Sequence, residues 1–246
     1  MQDRVVNGCR GHVGWKGSAL AAGLLACLGV AGCGGDPAQA PQFSQVELDQ
    51  LRERSTAFAG SQAEVLRNDA QALAVGQDLY LAHCTACHGA TAGSSARGVP
   101  DLTDAVFNYG DSVDAVRTTI TQGRHSIMPK HAGLMGEVDI GTLVAYVQAL
   151  AGGQQMDLFG PSAQRLYQEH CVACHGADGK GNLALGAPDL TDAYWLHGDS
   201  MMNIRMMISR GAESQCPAQQ DVLSTTEIEL LTVYVMRLRD GSPTDG

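Results

Sequence analysis

Aromatic residues make up only 5% of this 246-residue chain: two Trp, four Phe and six Tyr. Strings of Val, Ile and Thr in period-2 alternation are missing, which argues against an extensive sheet. Basic residues are few, 16 Lys and Arg against 26 Asp and Glu. A nucleic-acid partner is therefore excluded as the main one, because affinity for the phosphate backbone needs positive charge. The chain also lacks an apolar run that matches the roughly 20 residues of a membrane-spanning helix. Glycine, in contrast, is abundant at 30 residues. At this length the chain holds two small domains, or one domain with a long preface. Loop-rich domains so poor in aromatics must find apolar core material elsewhere, and a large apolar cofactor supplies it.

Cysteine and histidine identify that cofactor. The pattern Cys-x-x-Cys-His occurs twice, at Cys84–His88 and at Cys171–His175. Each reads as an attachment site for a c-type haem, with two thioether bonds and the adjacent histidine, His88 or His175, on the iron. The cofactor-binding thiols are then Cys84, Cys87, Cys171 and Cys174, and the reaction class is electron transfer.

The first 32 residues read as an export signal. Arg4, Arg10 and Lys16 precede a short apolar run from Ser18 to Val30, which ends in Val30-Ala31-Gly32-Cys33. This is similar to the processing site of bacterial lipoproteins, where the chain is cut before the cysteine and its thiol is acylated. Cys33 is the expected lipid anchor; the alternative is an uncleaved anchor helix. Both put the remainder on the periplasmic side of a bacterial membrane. The leader holds three basic residues and one acidic, so the mature chain has 13 basic and 25 acidic side chains, a net charge near −12. A basic docking face on a redox partner suits such a surface, because long-range attraction speeds encounter.

Beyond a tether and a helical preface (33–74), an internal repeat organises the chain. Leu79-Tyr80 and His83-Cys84 match Leu166-Tyr167 and His170-Cys171. Pro100–Ala105 matches Pro188–Ala193, and Ala145-Tyr146-Val147 matches Val233-Tyr234-Val235. The expected architecture is all-α: two tandem class I cytochrome c domains (75–153 and 154–241), then a short tail (242–246). In each, a helix leads into the haem motif, a loop carries the distal ligand, and a closing helix follows, near Ile140–Leu150 or Ile228–Leu238.

The distal ligand separates the copies. In the first, Met128, followed by Pro129, stands 27 residues beyond Asp101. The thioether is a soft iron ligand on a stiffened loop, with His125 and His131 as rivals. In the second copy Cys216, followed by Pro217, stands the same 27 residues beyond Asp189. Taken in chain order, Met128 belongs to the first iron and Cys216 to the second, with Met206 and Met207 as rivals for the latter. A thioether favours ferrous iron, whereas an anionic thiolate stabilises the ferric state and lowers the potential.

From Phe43 onward the chain resembles the dihaem subunit (subunit III) of cbb3-type haem–copper cytochrome oxidases. The match rests on Phe43-Ser44-Gln45, the doubled haem motif, Cys174–Asn182 and Leu185-Gly186-Ala187-Pro188-Asp189-Leu190-Thr191-Asp192. The resemblance implies two class I cytochrome c domains passing electrons from a donor toward an oxidase core, and it carries His88, Met128 and His175 over as ligands. The chain departs from that family in its lipoprotein-like leader, in place of transmembrane anchoring, and in Cys216, where the family has methionine. Hence three functions compete. The first is an electron carrier between redox proteins, a cytochrome or a terminal oxidase, with no catalytic residue of its own. The second is a thiosulfate dehydrogenase-like enzyme with a His/Cys-ligated haem, against which the charges near Cys216 in the sequence (Arg210, Glu213, Asp221) count. The third is a redox or gas sensor in which Cys216 dissociates.

Overall fold

A computed structural model describes residues 41–93, 98–154 and 159–241. The leader, Cys33 and the tail at 242–246 lie outside these residues. Ten α-helices, a 3-10 turn (Thr56–Phe58) and one short ribbon form the regular structure of the described part: α1 (Gln45–Ser55), α2 (Ala63–Leu66), α3 (Ala70–His83), α4 (Thr85–His88), α5 (Val113–Gln122), β1 (Arg124–Met128), α6 (Glu137–Ala151), α7 (Gly160–His170), α8 (Val172–His175), α9 (Met201–Arg210), β2 (Ala212–Cys216) and α10 (Thr225–Arg239). The expectation of a helical protein holds, with one small two-stranded sheet added.

Helix starts follow local chemistry. Ser44 and Glu47 form a capping box on α1, and Ser224 and Glu227 form another on α10. Asp69, Ser112 and Ser200 accept from the free amides that open α3, α5 and α9. Each such side chain satisfies a donor that the helix cannot. The haem-motif turns α4 and α8 stop at Gly89 and Gly176, both at φ +74°, a region glycine enters without a Cβ clash.

The two domains do not close on themselves. Helix α10, from the second repeat, packs on α3, α5 and α2 of the first, whereas α6, from the first repeat, packs on α7 and α9 of the second. One core therefore joins Val75, Leu79 and Tyr80 to Ile228, Leu230, Leu231 and Tyr234. The other joins Ile140, Leu143, Tyr146 and Val147 to Ala163, Leu166, Tyr167 and Ile204. The first lobe is thus α1–α5 with α10, and the second is α6–α9. Each closing helix thus packs on the other repeat, not on its own as chain order implies.

Charge placement explains the exchange. The buried Glu229 of α10 accepts from the Ala63 amide at 2.7 Å and meets Arg117 Nε of α5 at 2.8 Å. Its counterpart on α6 is Gly141, which offers no carboxylate. With α6 in its place Arg117 would keep only Glu64 and Asp114, both more exposed than Glu229, so α10 is the closing helix that suits this lobe. Gly76 of α3 marks the crossing: a Cβ there would stand 2.5 Å from the Leu230 carbonyl oxygen and 2.9 Å from Tyr234 Cβ.

The chain crosses between lobes at the β1–β2 ribbon, antiparallel, with Arg124 opposite Cys216, Ser126 opposite Ser214 and Met128 opposite Ala212. Gly123 and Gly211, at φ +70° and +71°, let the strands cross closely. A Cβ on Gly123 would lie 2.4 Å from the Cys216 carbonyl, and one on Gly211 2.3 Å from that of Met128. Two matched pairs of backbone bonds lock the crossover. The amides of His131 and Ala132 donate to Ile208 and Ser209, and those of Gln219 and Gln220 to Ile120 and Thr121.

Candidate haem sites and their exchanged distal ligands

Each lobe presents the same proximal arrangement. Helix α3 runs through Cys84 into the single turn Thr85–His88, and α7 runs through Cys171 into Val172–His175. The His88 ring Nδ1 lies 3.0 Å from the Pro100 carbonyl oxygen, and that of His175 3.0 Å from the Pro188 carbonyl oxygen. A carbonyl can only accept, so Nδ1 carries the proton and Nε2 keeps its lone pair for iron. Tyr80 donates to the Gly89 carbonyl at 2.6 Å, and Tyr167 to that of Gly176 at 3.0 Å. Those hydroxyls brace the turn from behind. Asp101 and Asp189 then fold the following loop by accepting from Thr103 and Thr191.

These residues fit covalent haem. The motif cysteines form no disulfide. Burial pushes the Cys84 thiol up to about 12 and the Cys171 thiol up to about 11, so both sites favour an uncharged sulfur, as a thioether provides. Among the described residues no group of three His, Cys, Asp or Glu side chains could hold a bare metal ion.

The two candidate distal ligands do not follow chain order. Met128, at the far end of β1, packs against the core of the second lobe, as do Cys171, Leu190 and Trp195. Cys216, at the far end of β2, comes instead to the first lobe, near enough to Cys84 and Cys87 for their charges to be felt. The strands cross, so each carries its ligand residue away from its own repeat. Alternation along the ribbon puts Arg124, Ser126 and Met128 on the more buried side of β1, and Ala212, Ser214 and Cys216 on that of β2. Ser126 and Ser214 hydroxyls meet at 2.8 Å in the middle.

The rivals take other positions. His125 is on the outer face, half exposed, with its Nε2 2.8 Å from Glu213. His131 is buried in the second lobe, edge-on to His170 with ring centroids 5.8 Å apart. Met206 and Met207 belong to α9, also in the second lobe, and so not in the lobe that receives Cys216.

One functional residue escaped the sequence reading. Arg124 stands directly across the ribbon from Cys216, with its guanidinium 4.5 Å over the Tyr109 ring and its Nε donating to Thr119 at 2.9 Å. Burial pushes the Cys216 thiol up and Cys87 adds to this, while Arg124 acts against both. The two residues are remote in sequence, and only the strand pairing reveals the contact. The repeats also meet at their loops: Tyr109 lies against Gly186, and its repeat counterpart His197 against Gly98. A Cβ on Gly186 would fall 2.2 Å from Tyr109 Cζ.

Comparison with known proteins agrees with this geometry. The family model described as cytochrome c oxidase, cbb3-type, subunit III matches residues 71–147 and again 160–235. A cbb3-type cytochrome c oxidase subunit CcoP from Rubrivivax gelatinosus is 37% identical over 186 residues, 75% of this chain and 60% of that protein. The FixP subunits of Bradyrhizobium sp. (strain ORS 278) and Azorhizobium caulinodans are 31% and 32% identical, over 79% and 87% of this chain and 72% and 76% of theirs. With two covalent haem c groups, the chain belongs to the subunit III family of cbb3-type cytochrome c oxidases.

Proposed function

We propose that this chain is a periplasmic, lipid-anchored electron carrier that hands single electrons to a terminal oxidase, with its two irons completed by exchanged ligands. His88 and Cys216 hold the first iron, and His175 and Met128 hold the second. The observation that carries this reading is the crossed ribbon, which brings Cys216 to the first haem motif and Met128 to the second lobe. Bound there, each haem supplies a one-electron iron couple. The protein's part is to attach, orient and tune. The cysteines fix the ring, the Pro100 and Pro188 carbonyls hold the histidine tautomers, and the distal sulfurs bias the two irons apart. The thioether of Met128 raises the potential at the second site, and a Cys216 thiolate lowers it at the first.

Membrane attachment rests on the Val30-Ala31-Gly32-Cys33 sequence, and no described helix is long and apolar enough to cross a membrane. The chain spans 60% of the R. gelatinosus relative, so the oxidase as partner comes from the family. To test the role, the reduced chain is mixed with a purified cbb3-type oxidase that lacks its own subunit III. Oxygen uptake restored by the chain supports the carrier. Failure of the chain to reoxidise there contradicts it.

Arg124 favours a second reading. A cation beside Cys216 suits an anionic sulfur substrate, as in thiosulfate dehydrogenases. Thiosulfate-dependent reduction of an added acceptor, lost in Cys216→Met, would move the protein to that class.

A further inference from the structure

The internal repeat equates two grooves, and only one of them is filled. In the first lobe, the groove between α5 and α10 receives α2, the single turn Ala63-Glu64-Val65-Leu66, with Ala63 and Leu66 buried in the core. Glu64 reaches Arg117 at 3.2 Å. In the second lobe the same positions, 88 residues apart, form a groove between α9 and α6 lined by Gly141, Val144, Met201, Met202 and Arg205. No described helix covers it. At about 210 Å³ it is smaller than the roughly 300–1,000 Å³ of sites that enclose a small ligand, and its walls are apolar.

We propose that this groove is the docking site for a partner protein's helical turn of the α2 kind, a carboxylate flanked by small and branched apolar side chains. Three observations converge on that occupant. The apolar rim is open: Met202 is 65% exposed and Met201 54%. Second, the cation is under-matched. Arg117 meets the carboxylates of Glu64, Asp114 and Glu229, whereas Arg205, in the same place, meets only the exposed Glu137 among the described residues. A carboxylate placed as Glu64 is placed completes it. Third, Gly141 sits inside a helix, where glycine costs roughly 0.5–1 kcal/mol relative to alanine. Inside the protein, a Cβ there would meet only the Arg205 side-chain tip at 3.7 Å. Gly76 is where α10 presses on α3; at Gly141 no described residue presses, and the close approach is left to an incoming chain. The chain's own tether, residues 34–42, has no large aliphatic side chain to fill the groove.

The test uses the intact protein in membranes of its host, with Met202→benzoylphenylalanine as a photoreactive probe and mass spectrometry of the adduct. The expected adduct is to a segment of another protein that carries Asp or Glu within one turn of apolar residues. Arg205→Glu and Gly141→Glu, judged intact by an unchanged haem spectrum, should each cut its yield roughly tenfold, the worth of one interfacial charge pair. Adducts confined to lipid or to this chain, no adduct, or a yield indifferent to both variants would overturn the proposal.

Discussion

Cys216 and its neighbour Arg124 are where single residues decide the chemistry. On the proposed ligation, replacing Cys216 with methionine exchanges an anionic ligand for a neutral one, so the potential of the first haem should rise while that of the second stays put. A redox titration resolves the two; a shift confined to the second haem would contradict the assignment. Arg124→Met removes the cation that opposes burial at the thiol, so conversion of the ferric first site to its thiolate form should move to higher pH. Asp189 gives a third test. Its carboxyl is pushed up by burial, but the Thr191 hydroxyl and amide and Lys180 together hold it below the usual range. A depressed carboxylate stabilises the fold above its unfolded value, about 3.9, and that support is lost as the pH falls through the lower folded value. Acid release of His175 should therefore begin below the ordinary carboxylate range, and Asp189→Asn should blunt that pH dependence in an absorption titration.

At the scale of elements, glycines fix how closely helices and strands can approach. Gly76→Ala puts a methyl 2.5 Å from the Leu230 carbonyl and should cost about 1–3 kcal/mol by overpacking, read as a lower denaturation midpoint. Ala163, the counterpart of Gly76 in α7, already carries that methyl, and Ala163→Gly should cost much less. The helices themselves were legible in the sequence. Ser-x-x-Glu boxes announce α1 and α10, and the closing helices extend only a few residues beyond Ile140–Leu150 and Ile228–Leu238. The ribbon was not legible, because Arg-His-Ser-Ile-Met and Ala-Glu-Ser-Gln-Cys carry no run of β-branched residues. Their pairing comes from the crossover they must make, not from strand propensity.

For the whole molecule, the sequence names the haems, the repeat and the fold, yet leaves open which half closes which. Ala145-Tyr146-Val147 and Val233-Tyr234-Val235 offer nearly the same apolar face, so periodicity alone cannot assign them. The choice is made by Glu229 against Gly141, and by Arg239 of α10 reaching the Asp111 carbonyl at 2.6 Å. Such contacts join residues more than 100 positions apart and show only in three dimensions. Exchange predicts that the two halves are clasped. A protease site inserted after Gly153 should give fragments that stay together in gel filtration after cleavage; separation would mean that each half closes on itself.

On the proposed function the same exchange sets which sulfur each iron receives, and selective removal of one haem tests this most directly. In Cys84→Ala/Cys87→Ala only the second haem remains, and in Cys171→Ala/Cys174→Ala only the first. Electron paramagnetic resonance and near-infrared magnetic circular dichroism of the ferric proteins then report one ligand set at a time. The account predicts a methionine-ligated spectrum for the protein that retains the second haem. It predicts the compressed g-anisotropy of thiolate ligation for the protein that retains the first. The opposite assignment, thiolate on the second haem and methionine on the first, would contradict it.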